Sequence, residues 1–161
     1  LVLYSIGYKI ESALLLISKA RSMLCLKLEK SVGYDVLEAL LGSCESFNAY
    51  RTQYKSSLLL ENVVEFLILN PHFPKSLTYI ADELLHAFKT LPKAKKYLSA
   101  YEEPIFKAHT CLRLTNINTL LELEEGTLVY KKLDELLSTL SELFSSASSE
   151  LSKTYFSHYD E

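Results

Sequence analysis

A chain of 161 residues, 48% hydrophobic and 23% charged, suits one domain that can bury a core without staples, and excludes disorder. A net charge of −3 supplies no field for gathering phosphates, which argues against general nucleic-acid binding. No run approaches the roughly 18 uncharged apolar residues of a membrane span. The three well-separated cysteines, Cys25, Cys44 and Cys111, read as reduced core thiols of a cytoplasmic protein.

Apolar residues recur with the helical period along most of the chain. The pattern predicts a first helix from Leu3 to Glu29, with Leu3, Ile6, Ile10, Ala13, Leu14, Ile17, Leu24 and Leu28 on one face. Ser31-Val32-Gly33 breaks it. A second helix is expected from Asp35 to Tyr54, with Leu37, Leu40, Leu41, Cys44 and Phe47 inward. A short third runs from Leu60 to Leu69. The corner LNPHFPKSL, residues 69 to 77, follows: Pro71 stops the third helix and Pro74 opens the fourth at a first-turn position. The fourth, Pro74 to Thr90, carries Leu77, Ile80, Ala81, Leu84, Leu85 and Phe88 on one face, and Leu91-Pro92 ends it. A Lys-rich link, residues 93 to 96, leads to a fifth helix from Glu103 to Leu114, then a loop or short helix over 116 to 124. Gly126 precedes a long last helix from Thr127 to Tyr155. The expected fold is an all-α helical bundle with four principal helices plus short connecting ones. The opening LVLYSIGYKIESALLLISK lacks an initiator Met and a leader, so the chain reads as a fragment of a longer protein.

Enzyme motifs are sparse. There is no Gly-rich phosphate loop, CxxC, HExxH or GxSxG, and no cofactor is expected. Glu83-x-x-His86 has the spacing of a di-iron ligand pair, but its helical phase points both side chains away from the apolar stripe, into water. Two arginines stand out instead. Arg21 falls within about 20° of the centre of the first helix's stripe, and Arg51 falls on the Leu37–Leu41–Cys44 side of the second helix. A guanidinium facing a core needs a partner; Glu11 is one candidate, and Asp35, Glu38 and Glu45 are others. The choices are a structural ion pair, an arginine that snorkels out, or a polar inter-helix pocket for an anion. Tyr50 and Tyr54 bracket Arg51 one turn apart in a chain with eleven tyrosines and no tryptophan, fitting a docking surface or an ordinary half-wet rim.

Three blocks, CESFNAYRTQY (44 to 54), VVEFLILNPHFPKSL (63 to 77) and SELSKTYFSH (149 to 158), resemble the bacterial alpha-E family in order and spacing. The family pattern runs "AYR-x-x-Y", then after an apolar helix "FLIL-(N/D)-x-x-(F/N)-P-(R/K)-S-(L/V)", so Arg51 matches its Tyr-Arg and Lys75-Ser76 its Arg-Ser. The family is named for a Glu-Arg motif on a first helix reading approximately G-R-Y-(I/L)-E-R-A. Here that stretch is Gly7-Tyr8-Lys9-Ile10-Glu11-Ser12-Ala13, which keeps the glutamate and lacks both arginines. The resemblance covers essentially all of the chain and suggests the C-terminal half of a family member.

The resemblance implies an accessory domain of a peptide-modification system, encoded beside or fused to a circularly permuted ATP-grasp ligase. The expected role is a non-catalytic helical module whose partner is that ligase or its peptide substrate, with a candidate surface of Glu11, Tyr50, Arg51, Tyr54, Lys75 and Ser76. Two other roles stay open: an enzyme using a polar pocket around Glu11 and Arg51, and a purely structural bundle. A homodimer is a further expectation, because half of a two-part fold exposes an apolar face that the other half covers.

Overall fold

The computed structural model describes residues 1–55, 58–92 and 97–156. They form α1 (Val2–Leu24), α2 (Lys30–Ser43), α3 (Phe47–Gln53), α4 (Leu60–Val64, continued by a π-helical segment Glu65–Leu69), α5 (Leu77–Phe88), α6 (Glu102–Leu114), α7 (Ile117–Leu120) and α8 (Lys131–Phe156). The fold is all-α; among the described residues the extended pairing is one antiparallel bridge, Leu26 with Val129. The four principal helices close a ring: α1 packs on α8 and α5, and α6 packs on α5 and α8. Each brings an apolar stripe at helical spacing, such as Ile6, Ile10, Ala13, Ile17, Ala20 and Leu24 of α1, or Leu133, Leu137, Leu140, Phe144, Ala147 and Leu151 of α8. α2, of 14 residues, and the shorter α3 and α4 cover one side of this ring.

Several boundaries differ from the periodicity, each for a local reason. The first helix stops at Leu24 rather than Glu29. The chain leaves it to run extended beside Leu128–Tyr130, with Lys27 N–H donating to Leu128 O at 2.7 Å and Tyr130 N–H to Cys25 O at 2.8 Å. The same pairing keeps Thr127–Tyr130 out of the last helix, which starts at Lys131. The expected second helix is two. After Ser43 the chain makes a Schellman turn, with Ser46 N–H on Leu41 O at 2.9 Å and Glu45 N–H on Gly42 O at 3.1 Å. This turn re-phases everything after it. The fourth helix begins at Leu77, so Pro74 and Lys75 lie in the turn before it rather than in its first turn. The Lys-rich link lies outside the described residues, as do Ser157 and His158 of the third block.

Arg21 does not face the core and does not meet Glu11. Its stem lies along the α1–α8 seam and its side chain stays 46% exposed. Nε donates to Asp134 Oδ1 at 2.8 Å, and that hydrogen bond and charge raise the guanidinium pKa. Beneath the pair, Cys25 is buried. Burial first, then the neighbouring Asp134 carboxylate, pushes its thiol up from an ordinary 9.0 to about 11. Between these values the unfolded chain has lost the thiol proton while the folded chain keeps it, so the Cys25 contribution to stability falls as pH rises from about 9 to about 11. Urea midpoints measured across that range are expected to drop, and to drop less in Cys25→Ala.

The corner after α4 is built from side chains capping backbone. Phe66, Leu67 and Ile68 are three consecutive fully buried residues. The wider π-helical turn, closed by Asn70 N–H on Glu65 O at 2.8 Å, turns all three inward. Asn70 Oδ1 accepts from the N–H groups of His72 (2.8 Å) and Phe73 (3.2 Å), and Phe73 stacks on Phe66 with centroids 4.0 Å apart. Ser76 is the N-cap of α5: its hydroxyl accepts from Tyr79 N–H at 3.1 Å and donates to the Asn70 carbonyl. Thr78 Oγ1 donates to Ile68 O at 2.8 Å. Ser76→Ala removes the cap and strands a carbonyl, so it is expected to cost about 2 kcal/mol in urea unfolding. A cost close to zero would place the corner's stability elsewhere.

Candidate functional site

A groove of about 470 Å³ runs along α1, between that helix, the α2–α3 turn and the lead-in to α5. Tyr8, Ser12, Leu15, Leu16 and Lys19 recur three or four residues apart and so share the α1 face that lines it. The α2–α3 turn adds Ser43, Cys44 and Glu45; the opposite wall is Pro74, Lys75, Tyr79, Ile80 and Glu83. Leu16 and Ile80 form a buried floor, while Tyr8 and Leu15 stand exposed at the rim.

Three ammonium groups converge on this groove, each lightly held. Lys9 Nζ lies 3.6 Å from Glu83 Oε2. Lys19 Nζ donates to Ser43 O at 3.2 Å. Lys75 Nζ reaches the carbonyls of Cys44 (3.5 Å) and Glu45 (3.4 Å) and lies 3.6 Å from Glu45 Oε2. Lys19 and Lys75 therefore sit at the C-terminal end of α2, where carbonyls are unpaired and the helix dipole is negative. No histidine lines the groove. His86 and His109 approach Asp82 instead, at 3.7 and 3.6 Å. Both Glu83 and His86 lie off the buried α5 stripe, as the helical phase predicts, but only His86 is exposed; Glu83 stands on the groove wall against Lys9. Among the described residues no group of three His, Cys, Asp or Glu is placed to hold a metal ion.

The sequence-predicted residues separate. Lys75 lines the groove. Ser76, one residue on, is fully buried as the α5 cap. Tyr50 is also a core residue at 0% exposure, not a surface one; it stacks on Tyr54 (4.9 Å) and meets Phe66 edge-on (5.7 Å). Among the described residues its hydroxyl has no hydrogen-bond partner. Tyr54 is half-buried, and burial raises its phenol pKa. Arg51 is exposed, with its guanidinium 4.6 Å from the Phe47 ring centroid. The Schellman turn rotated it out of the phase that placed it inward. Glu11 is exposed on α1 and does not line the groove.

Periodicity passed over Lys9, Lys19 and Tyr79, and Glu45, a candidate partner for an arginine, pairs with Lys75 instead. The signal present was a second, mixed face of α1 at positions 8, 12, 15 and 19; the approach of Lys75 and Tyr79 to that face is a tertiary fact. Glu45 has a second distinction. It occupies the C′ position of the Schellman turn with φ 51°, where glycine is the usual residue. Its side chain is 87% exposed, so packing does not explain it. Glu45→Gly removes the left-handed strain and is expected to stabilise the fold by about 1 kcal/mol, read as a raised urea midpoint. A lowered midpoint would mean that the exposed carboxylate itself holds the turn.

Residues 1–156 match a family model described as a predicted alpha-helical domain with a conserved ER motif. No Glu-Arg dipeptide occurs anywhere in this chain. No curated protein matches it, and no solved structure does. With the match spanning nearly the whole chain and an all-helical ring beneath it, the chain belongs to the Alpha-E family.

Proposed function

We propose that the chain is a non-catalytic helical interaction module that works with an ATP-grasp amidoligase, docking the ligase or its peptide substrate in the groove along α1. One observation carries this reading: the groove combines an apolar floor, exposed Tyr8 and Leu15, and three lysines. That is the mixture of anchors and charged rim found where proteins meet. Tyr8 and Ser12, which stand where the family pattern has arginines, both line it. The enzyme reading built on Glu11 and Arg51 loses support, because neither lines the groove and Arg51 spends its charge on the Phe47 ring.

The test is co-elution of the purified chain with an ATP-grasp amidoligase from the same genome, on a sizing column with light scattering. The pair should elute together, and Lys9→Glu/Lys75→Glu should separate them while leaving the helical circular dichroism unchanged. Co-elution that survives the double reversal would remove the groove from the reading. Failure of the unmodified pair to associate would overturn it. The same scattering trace reports whether two copies of the chain pair.

A further inference from the structure

We infer that the groove is an acceptor for an extended acidic peptide segment, four or five residues long, and that Glu45 is a built-in competitor for its carboxylate. The inference rests on the interaction-module reading and adds the chemistry of the occupant.

Length comes from α1. Lys9 and Lys19 are ten residues apart, which is about 15 Å along a helix. An extended peptide rises about 3.3 Å per residue, so one with carboxylates near both ends spans that interval in about five residues. A ligand with a single small anionic group cannot reach both lysines. Between them the groove is apolar, floored by Leu16 and Ile80 with Leu15 exposed beside them. That bed favours an apolar side chain between two acidic ones over a polyphosphate backbone. Charge complementarity completes the argument. The three ammonium groups face two carboxylates, Glu83 and Glu45, in a chain that is acidic overall. Both of their ion pairs are long, at 3.6 Å, and the Lys75–Glu45 pair is solvent-exposed, so exchange for a ligand carboxylate costs little there.

Glu45 sets the competition. Its backbone is held left-handed, at a position where a side chain is a burden. That side chain meets solvent except for its ion pair with Lys75. A carboxylate kept at a conformational cost, on the groove's rim and against a groove lysine, occupies the place of an incoming acidic group. It swings into water when the segment binds.

The probe is a fluorescein-labelled pentapeptide, Glu-Leu-Glu-Leu-Glu, with Gln-Leu-Gln-Leu-Gln as its neutral counterpart, followed by fluorescence anisotropy. The acidic peptide should bind and the neutral one should not. Lys75→Gln and Lys19→Gln should each weaken binding, and Lys107→Gln on α6 should not. Glu45→Gln should tighten it roughly two- to fivefold, the worth of one exposed ion pair. Equal binding of both peptides, or an unchanged or weakened affinity in Glu45→Gln, overturns the inference. The two readings fail separately. If the amidoligase co-elutes with the chain while the acidic peptide neither binds nor displaces it, the acceptor inference falls and the module reading stands. If the peptide binds while the ligase does not associate, the acceptor inference stands and the ligase-docking arm of the module reading falls.

Discussion

The Ser76 hydroxyl holds two backbone groups at once, and the direction of α5 follows from it. One bond caps the Tyr79 amide; the other ties the Asn70 carbonyl left over by the π-helical turn. A buried hydroxyl that both donates and accepts is fully satisfied, so the corner is fixed in geometry as well as energy. With α5 so aimed, its buried face meets α1 on one side and α6 on the other. Lys75 is then left on the opposite side of the cap, over the groove. A structural serine and a groove lysine are thus adjacent in sequence because one hydrogen-bonded corner needs the first and presents the second.

The groove's electrostatics have the same double character. Lys19 and Lys75 answer carbonyls at the end of α2 and in the turn that follows, which is sufficient reason for their presence in an otherwise ordinary bundle. Long flexible stems and partners beyond 3 Å leave these ammonium groups available to a better acceptor. Structural capping and recognition do not compete here, since a cation that stabilises the end of a helix can also meet an anion from outside.

The all-α class and the inward faces of α1, α5 and α8 were legible because burial repeats every three or four residues and each stripe is long. Leu77, Ile80, Ala81, Leu84 and Phe88 are all buried. What failed were positions set by single hydrogen bonds. The Schellman turn at Cys44–Ser46 carries Glu where glycine would have announced it, so α2 and α3 read as one helix and Arg51 was assigned the wrong side. Leu28 fits the α1 period yet lies past its end, because pairing with the segment before α8 outweighs one more helical turn. Phe66, Leu67 and Ile68 break any single-face pattern, and only a widened turn reconciles them. Arg21 was rightly marked as needing a partner, but a carboxylate 113 residues away cannot be chosen by local spacing. The groove was legible in one wall only: the α1 face is periodic, whereas the opposing wall is assembled by the corner.

The bridge between Leu26 and Val129 has a bearing on how the ring comes to exist. Together with Arg21–Asp134 it clasps the first long helix to the last across more than a hundred residues. Closing a loop of that size costs about 4 kcal/mol of chain entropy beyond a constant term, and local helix formation does nothing to offset it. The contacts between α5 and α6 are much nearer in sequence, so that half of the ring can gather early while α1 still lacks α8. During synthesis α1 leaves the ribosome well before α8. The clasp is therefore also a clock: it sets the interval over which the α1 stripe is without its α8 cover.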